Sequence, residues 1–511
     1  MSGDLRPPAP ADRGTRREGG YILVMMALLM LPLMAVVGFA TDVGSWYVQG
    51  SKLQRAADAA ALAGVVWMPD LDAAEEAALT AIEKNGFDLT GDRFEIEVTR
   101  VGPARLQVVI LDTNADLFFS SLVLDEMQIQ RAAVAEYLKP LPLGSPLNSF
   151  GQDLSCSLAS CRPNFWAAIQ APFTKKQHGD PYATSCIEID APGTSCSTPN
   201  PEYRPAGYWY QVDVPQSLID FFGGAVPVNI EIYDAGFYNR TNPFTETGDF
   251  AIDGSTTQPG FQVEVYRNDN TPLDHTDNPS WSGGACRRTI VAGADVATYR
   301  NTWHRVCRII VTEPVSFPVN VRTSDLAGGV AATGSATANY SLRVRAECGA
   351  TICPPEVQPR LYGLGDFSIF LNPGGGATSE FFVAEVTEQA RGKELAIELY
   401  DPGDGSSGNY FMSMIDPRTN SPYTSCSWTA TNGTSGTAAP CRLQTSNSGV
   451  SLFNGQWLSF RIPIPTSYAC TPPSGTGCWW KVRYEFPGAS SPSDRITVRV
   501  SVRGDPIKLV R

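Results

Sequence analysis

The sequence predicts an N-terminal transmembrane helix and a small α+β module, followed by two tandem all-β sandwich domains of jelly-roll-like topology. Three observations carry this. An uncharged apolar run, YILVMMALLMLPLMAVVGFA, fills residues 21–40. The 46 Gly and 39 Pro make turn-rich stretches that alternate with Val, Ile, Tyr and Phe runs over the C-terminal two thirds, which is the pattern of β-structure. Short strand-like segments also recur there twice in one order. With 511 residues, 43% apolar and 18% charged, the chain has material for about three or four domains with ordinary cores. The predicted boundaries are a head at 1–20, a spanning helix at 21–40, a helix with an α+β module at 41–138 and a Pro-rich linker at 139–150. Sandwich 1 then covers 151–347, a linker 348–360, and sandwich 2 361–511.

At about 1.5 Å per residue, the run from Tyr21 to Ala40 matches the roughly 30 Å hydrocarbon core of a bilayer. Arg13, Arg16 and Arg17 precede it and Asp42 is the first charge after it. The positive-inside rule therefore leaves the N-terminus cytoplasmic and exports the bulk of the chain. The competing reading is a signal peptide cut near Gly38 and Ala40. The length of the run, Phe39 and the helical pattern beyond Ala40 favour retention.

From Asp42 to Gly64 the residues remain helix formers, with Trp46 and Tyr47 placed where aromatics settle at a membrane interface. Leu53, Ala57, Ala60, Ala61 and Gly64 recur at steps of three and four, giving a narrow smooth stripe. Small side chains let another helix approach closely, in the same chain or in another subunit. The plainer alternative is that alanine is simply a good helix former. Next, DAAEEAALTAIEKNGF reads as a helix ended by Gly86, FEIEVTRV and ARLQVVILD as strands, ADLFFSSLVL as a connecting helix and MQIQRAAVAEYL as a last strand. KPLPLGSP from Lys139 then reads as a linker.

Five pairs of segments echo one another in the β-rich part. NFWAAIQAP from Asn164 matches DFSIFLNP from Asp366, and YWYQVDV from Tyr208 matches FFVAEV from Phe381. NIEIYDAG from Asn229 matches AIELYDPG from Ala396, TWHRVCRIIV from Thr302 matches QWLSFRIPI from Gln456, and YSLRVRAE from Tyr340 matches ITVRVSVR from Ile496. Conserved order across five weak matches argues for two copies of one sandwich. All twelve cysteines fall here: Cys156, Cys161, Cys186, Cys196, Cys286, Cys307, Cys348, Cys353, Cys426, Cys441, Cys470 and Cys478. Their even number and exported position read as disulfides. Local bridges such as Cys186 with Cys196 or Cys348 with Cys353 are suggested, but spacing alone does not settle connectivity.

Composition and motifs exclude several chemistries. A net charge of −13 argues against nucleic acid, which demands a basic face. Cys-x-x-Cys is absent and the histidines are only His178, His275 and His304, so no zinc cluster, metal site or cofactor is expected. No nucleophile elbow, His-Glu-x-x-His, phosphate loop or Gly-x-Gly-x-x-Gly is present, and no enzyme is expected. DPGDGSSGN from Asp401 has the oxygen-rich make-up of a calcium loop, with a solvated turn as the plainer reading. Tyr208, Trp281 and Trp479 mark candidate sugar platforms, although sandwich aromatics usually belong to the core.

The head, the apolar run, VVGFATDVGSWY and above all LQRAADAAALAG together resemble the N-terminal region of the Flp pilus-assembly proteins of the TadE/TadG type, over about residues 14 to 65. The matching positions are Gly38, Asp42, Gly44, Leu53, Gln54, Ala56, Ala57, Asp58, Ala59, Ala60, Ala61, Leu62, Ala63 and Gly64. The resemblance implies an inner-membrane component of a pilus or secretion apparatus, contacting membrane lipid and other assembly subunits. Helix packing or assembly then falls to Gly38, Asp42, Gly44, Leu53, Gln54, Ala57, Ala60, Ala61 and Gly64. Met25 stands where a processed pilin has glutamate, five residues after Gly20, and neither DGSTT from Asp253 nor DGSSG from Asp404 has the Asp-x-Ser-x-Ser spacing of an adhesion motif. The expected function is a non-catalytic extracytoplasmic component of a Tad/Flp-type system. The alternative is a free-standing adhesin or carbohydrate-binding protein, tethered by its helix and holding a surface glycan.

Overall fold

The computed structural model describes residues 19–68, 71–102, 105–137, 140–153, 165–188, 196, 198–237, 249–251, 259–269, 271, 274–291, 298–328, 334–348, 351–353, 357–373, 378–404, 408–470, 477–489, 492–503 and 507–510. The head with Arg13, Arg16 and Arg17, and Cys156 and Cys161, lie outside them. Contacts divide the chain into one unit of Met1–Lys139 with Asp505–Arg511 and a second of Pro140–Gly504.

The first unit is built on α1, Gly19–Val65, a single helix of 47 residues with Pro32 inside its apolar half. The apolar run and the alanine-rich segment therefore form one rod, about 70 Å long at the helical rise. A second helix, α2, Leu71–Lys84, ends where Gly86 takes φ +89°, a conformation that glycine adopts without a Cβ penalty. Strands Phe94–Gly102, Arg105–Asp112 and Ile129–Tyr137 form an antiparallel sheet in that order, and Ile507–Val510 adds a fourth at the Ile129 edge. The range 361–511 expected for sandwich 2 is corrected here: the last strand belongs to this sheet, where it covers an edge that would otherwise expose unpaired backbone groups. The alternation in Arg105–Asp112 turns Leu106, Val108 and Ile110 into the core, as a half-buried strand requires. ADLFFSSLVL, expected as a helix, is a loop with one 3-10 turn at Ser120–Leu122, because its backbone N–H groups are claimed by a carboxylate of α1 rather than by helical carbonyls.

The second unit holds the sandwiches. Its largest sheet runs through the strands Trp303–Val311, Val226–Tyr233, Ala336–Cys348, Phe165–Gln170, Asp366–Leu371, Asp494–Arg503, Glu394–Tyr400, Trp457–Pro463, Cys426–Ala430 and Ser435–Ala438. Two smaller sheets complete it. One is ordered Arg287–Ile290, Phe261–Val265, Val315–Arg322, Tyr208–Val214, Arg360–Leu364, and the other Thr378–Glu385, Trp479–Glu485, Tyr410–Asp416, Arg442–Asn447, Val450–Ser451.

Four of the five echoes occupy equivalent places in the largest sheet, and the fifth pair, the Tyr208 and Phe381 segments, lies in the two smaller sheets. Outward from the centre, Phe165, Ala336, Val226 and Trp303 strands on one side answer Asp366, Asp494, Glu394 and Trp457 strands on the other. The two central strands pair antiparallel, with Ala167 opposite Ile369. Asp234 and Asp401, aligned by the echo, both adopt positive φ (54° and 60°), and Gly236 and Gly403 follow at 123° and 111°. Each aspartate accepts a backbone N–H from the facing turn, Asn301 N at 2.6 Å and Gly455 N at 2.5 Å. Asparagine and aspartate tolerate this left-handed geometry because their short side chains bond locally.

The sandwiches are therefore side by side in one continuous sheet with one shared core, and the expected linkers are corrected. Arg360, the last residue of the expected 348–360 linker, opens the strand Arg360–Leu364, which pairs with Tyr208–Val214 of sandwich 1 although 361–364 were expected in sandwich 2. Leu143 and Phe150 of the expected 139–150 linker are buried, and Ser149–Phe150 pairs with the Ala336 strand. Inserting these segments gives the sheet edges partners. Disulfides join Cys186 to Cys196, Cys286 to Cys307, Cys348 to Cys353, Cys426 to Cys441 and Cys470 to Cys478.

Candidate functional site: the long helix and its module

The apolar half of α1 stands clear of the rest of its unit. Tyr21, Leu23, Leu31, Leu33, Met34, Val36 and Val37 are each at least 60% exposed, on every side of the helix. Among the described residues α1 is the one helix long and apolar enough to cross a membrane, and it is a candidate membrane anchor.

Contacts with the module start at Gly38, and successive turns on one face then carry them down the helix. Gly38 is buried, and a Cβ there would meet the Phe119 ring at 2.8 Å. One turn on, the Asp42 carboxylate is fully buried. Its Oδ1 accepts Phe118 N at 3.2 Å, and its Oδ2 accepts Phe119 N at 2.9 Å and Ser120 N at 2.5 Å. Charge-assisted bonds of this kind hold a loop more firmly than neutral ones. Trp46 follows, donating Nε1–H to Asp116 O at 3.1 Å and packing edge-on against Phe39. Gln49 donates to the buried Asp112, which also takes both arms of the Arg93 guanidinium at 3.0 and 3.2 Å. At Gly50 a Cβ would meet Arg131 at 2.6 Å.

The small-residue stripe comes next. Leu53, Ala56, Ala57, Ala60, Ala61 and Gly64 are all buried, in one core with Ala74, Ala78 and Ile82 of α2 and Leu106, Val108, Ala133 and Ala135 of the sheet. Gly64 sits closest, with a Cβ position 2.6 Å from Ala74 O and 2.6 Å from Leu106 Cδ2. The stripe thus packs within its own chain. Gln54 lies on its margin, bonding Asp58 and Ala132 O. Gly44 does not join the set: it is exposed, with nothing within 4 Å of a Cβ. Sequence reasoning missed Gly50 and the Phe118–Ser120 partners of Asp42, because they depend on Arg131 of a strand and on a loop, each more than seventy residues away. The signal present for Asp42 was a lone carboxylate bordering an apolar run.

On another side of α1 a cleft of about 770 Å³ is lined by Lys52, Arg55, Phe87, Asp88, Arg93 and Asp116 among others. Arg93 is tied to Asp112 and Asp116.

In the sandwich unit the candidate platforms are mostly interior. Tyr208, Tyr210, Trp479 and Trp480 are buried. Trp209 and Trp281 are half-buried, Trp209 against Tyr266 and His275 and Trp281 against Phe317. His304 Nε2 meets Thr298 O, and the His178 carbonyl accepts Gln170 Nε2. Buried carboxylates gather near the repeated turns: Asp494 accepts Gly403 N and the Tyr484 hydroxyl. Burial, and then the nearby charge of Asp404, pushes Asp401 and Asp494 well above the carboxylate range. Among the described residues no group of three or more His, Cys, Asp or Glu is placed to hold a metal ion. Residues 405–407 of the oxygen-rich turn from Asp401 lie outside them.

Residues 20–67 match the family model described as "Putative Flp pilus-assembly TadE/G-like". No curated protein matches the chain. One similar solved structure is the N-terminal CBM22-1–CBM22-2 tandem domain of Xyn10C from Paenibacillus barcinonensis, 10% identical, covering 55% of this chain and 79% of that one at a TM-score of 0.17. Another, a "putative secreted protein" from Parabacteroides distasonis, is 9% identical and covers 66% of this chain and 100% of that one at 0.14.

Proposed function

We propose that this chain is a membrane-anchored, extracytoplasmic and non-catalytic component of a Tad/Flp-type pilus-assembly or secretion apparatus. The observation that carries the reading is the coincidence of the TadE/G-like match at 20–67 with one uninterrupted helix. Its first half is apolar all round, and its second half is the core helix of a folded module. Such a rod fixes the module at the lipid surface without a flexible joint. The arginines before the helix orient the bulk outward, and the disulfides suit that compartment. The sandwich unit then serves for projection or adhesion.

The test is mass spectrometry without reduction on the membrane fraction, with protease added outside spheroplasts and crosslinking in intact cells. The expected result is residues 21–40 retained, external cleavage of the sandwiches, linked cysteines and crosslinks to other apparatus subunits. A product soluble in the cytosol with unpaired thiols overturns the reading. Loss of attachment on deletion, with pilus assembly intact, turns it toward the tethered adhesin.

A further inference from the structure

The module carries a second apolar feature. We propose that the loop 117–124 is a membrane-inserted wedge, seated in the lipid leaflet on the module's side beside the end of the spanning helix; this rests on the anchor reading above.

Its depth follows from its attachments. Asp42 holds the N–H groups of Phe118, Phe119 and Ser120, and the Phe119 ring lies against Gly38. That is about 6 Å, one helical turn, further toward the apolar run. The loop therefore stands level with the last apolar turn of α1, the boundary of a 20-residue span. LFFSSLVL is uncharged, and Phe118, Phe119, Val123 and Leu124 are exposed by 62%, 56%, 86% and 38%. In water that cluster would be a cost.

Its backbone is also suited to low dielectric. Besides the three N–H groups on Asp42, those of Val123 and Leu124 are bonded to Ser120 O at 2.9 and 2.8 Å. Lipid admits irregular backbone only where such groups are satisfied within the protein. Trp46, bonded to Asp116 O, stands at the level where tryptophan collects in bilayers. Asp116, Asp125 and Glu126 bracket the loop and set the limit of insertion, since carboxylates stay with the headgroups.

The experiment uses the full chain in phosphatidylethanolamine/phosphatidylglycerol vesicles, labelled with a nitroxide maleimide at Val123→Cys, Leu29→Cys or Val450→Cys without reductant. Collision with oxygen and with a neutral nickel chelate is then compared. Val123 is so exposed that its substitution leaves the fold intact. The expected result is a Val123 label preferring oxygen over nickel by about tenfold relative to the Val450 label, as the Leu29 label does. A Val123 label as open to nickel as Val450, with Leu29 still shielded, overturns the wedge and leaves the anchor standing. Low access to both reagents, or spin–spin broadening between copies, overturns it in favour of a protein partner. Nickel access at Leu29 overturns the anchor reading and the wedge with it.

Discussion

Two glycines on one helix face opposite outcomes when replaced by alanine. At Gly64 a Cβ meets Ala74 O and Leu106 Cδ2 at 2.6 Å each, against 3.4 Å or more for ordinary contact. One of those atoms is backbone, so α1 and α2 must part by most of an ångström, with Ala78 Cβ next in line at 3.4 Å. Overpacking of this kind costs about 1–3 kcal/mol, whereas the gain in helix propensity from Gly to Ala is at most about 1 kcal/mol. Because a backbone atom at 2.6 Å cannot swing aside, the upper half of that cost, about 2–3 kcal/mol, applies; less about 1 kcal/mol of propensity, the net expectation for Gly64→Ala is a loss of about 1–2 kcal/mol, and Gly64→Leu loses more. At Gly44 nothing lies within 4 Å, the position is exposed, and only the propensity gain of about 0.5–1 kcal/mol remains. Hydrogen exchange with mass spectrometry on the full chain in nanodiscs reads both effects locally. Amides of α2 should exchange about 5- to 30-fold faster in Gly64→Ala, at a tenfold change per about 1.4 kcal/mol, and no faster in Gly44→Ala. Unchanged or slower exchange of α2 in Gly64→Ala would refute the close packing on which the fate of the stripe depends.

Other expectations concern the sandwich unit. Burial, ahead of the opposing Arg204 charge, holds the Asp366 carboxyl at about 6, above its unfolded value. The folded state therefore takes up the proton first, and stability withheld at neutral pH returns as pH falls through 6. Urea unfolding of wild type should gain about 2 kcal/mol over Asp366→Asn between pH 7 and pH 4; a flat difference contradicts this. Replacing Cys426 and Cys441 by alanine opens a bridge with a sequence separation of 15, and should lower stability by about 3 kcal/mol in guanidinium titration. Gly403→Ala combines φ 111° with a Cβ position 2.3 Å from Thr445 O. It should lower the melting temperature by several degrees, and an unchanged melting curve speaks against the repeated turn.

Much of the sandwich architecture was legible because its signals are local. The Asp-x-Gly turns need particular residues at particular backbone angles, and a duplicated strand keeps its alternation wherever it lies. The junction was not legible. That Phe165–Gln170 would pair with Asp366–Leu371, and not with solvent or a loop, depends on edge complementarity between segments two hundred residues apart. Nothing in either strand marks which edge will find it. Arg360–Leu364 read as the margin of a linker for the same reason: a five-residue strand has too little periodicity to declare its sheet.

The stripe on α1 shows the same limit from the other side. In the structure residues at 38, 42, 46, 49–50, 53, 57, 60–61 and 64 follow the helical period almost without a break, while the period in the sequence marks only the part from Leu53 to Gly64. It does not identify the cover. A helix of another subunit and a sheet folded from residues 105–137 both select small side chains, since each requires backbones to come close. What decides between them here is the identity of the contacts: Leu106 and Ala78 against Gly64, Arg131 against Gly50, Phe119 against Gly38. Because this face is filled by the chain itself, the subunit contacts that the proposed role requires must use surfaces outside the stripe. Alanine-to-leucine changes at Ala57 or Ala60 should accordingly damage folding of the module before they damage assembly. The order is measurable as loss of α2 exchange protection in purified protein that has met no partner, and protection equal to wild type would return the stripe to an intersubunit role.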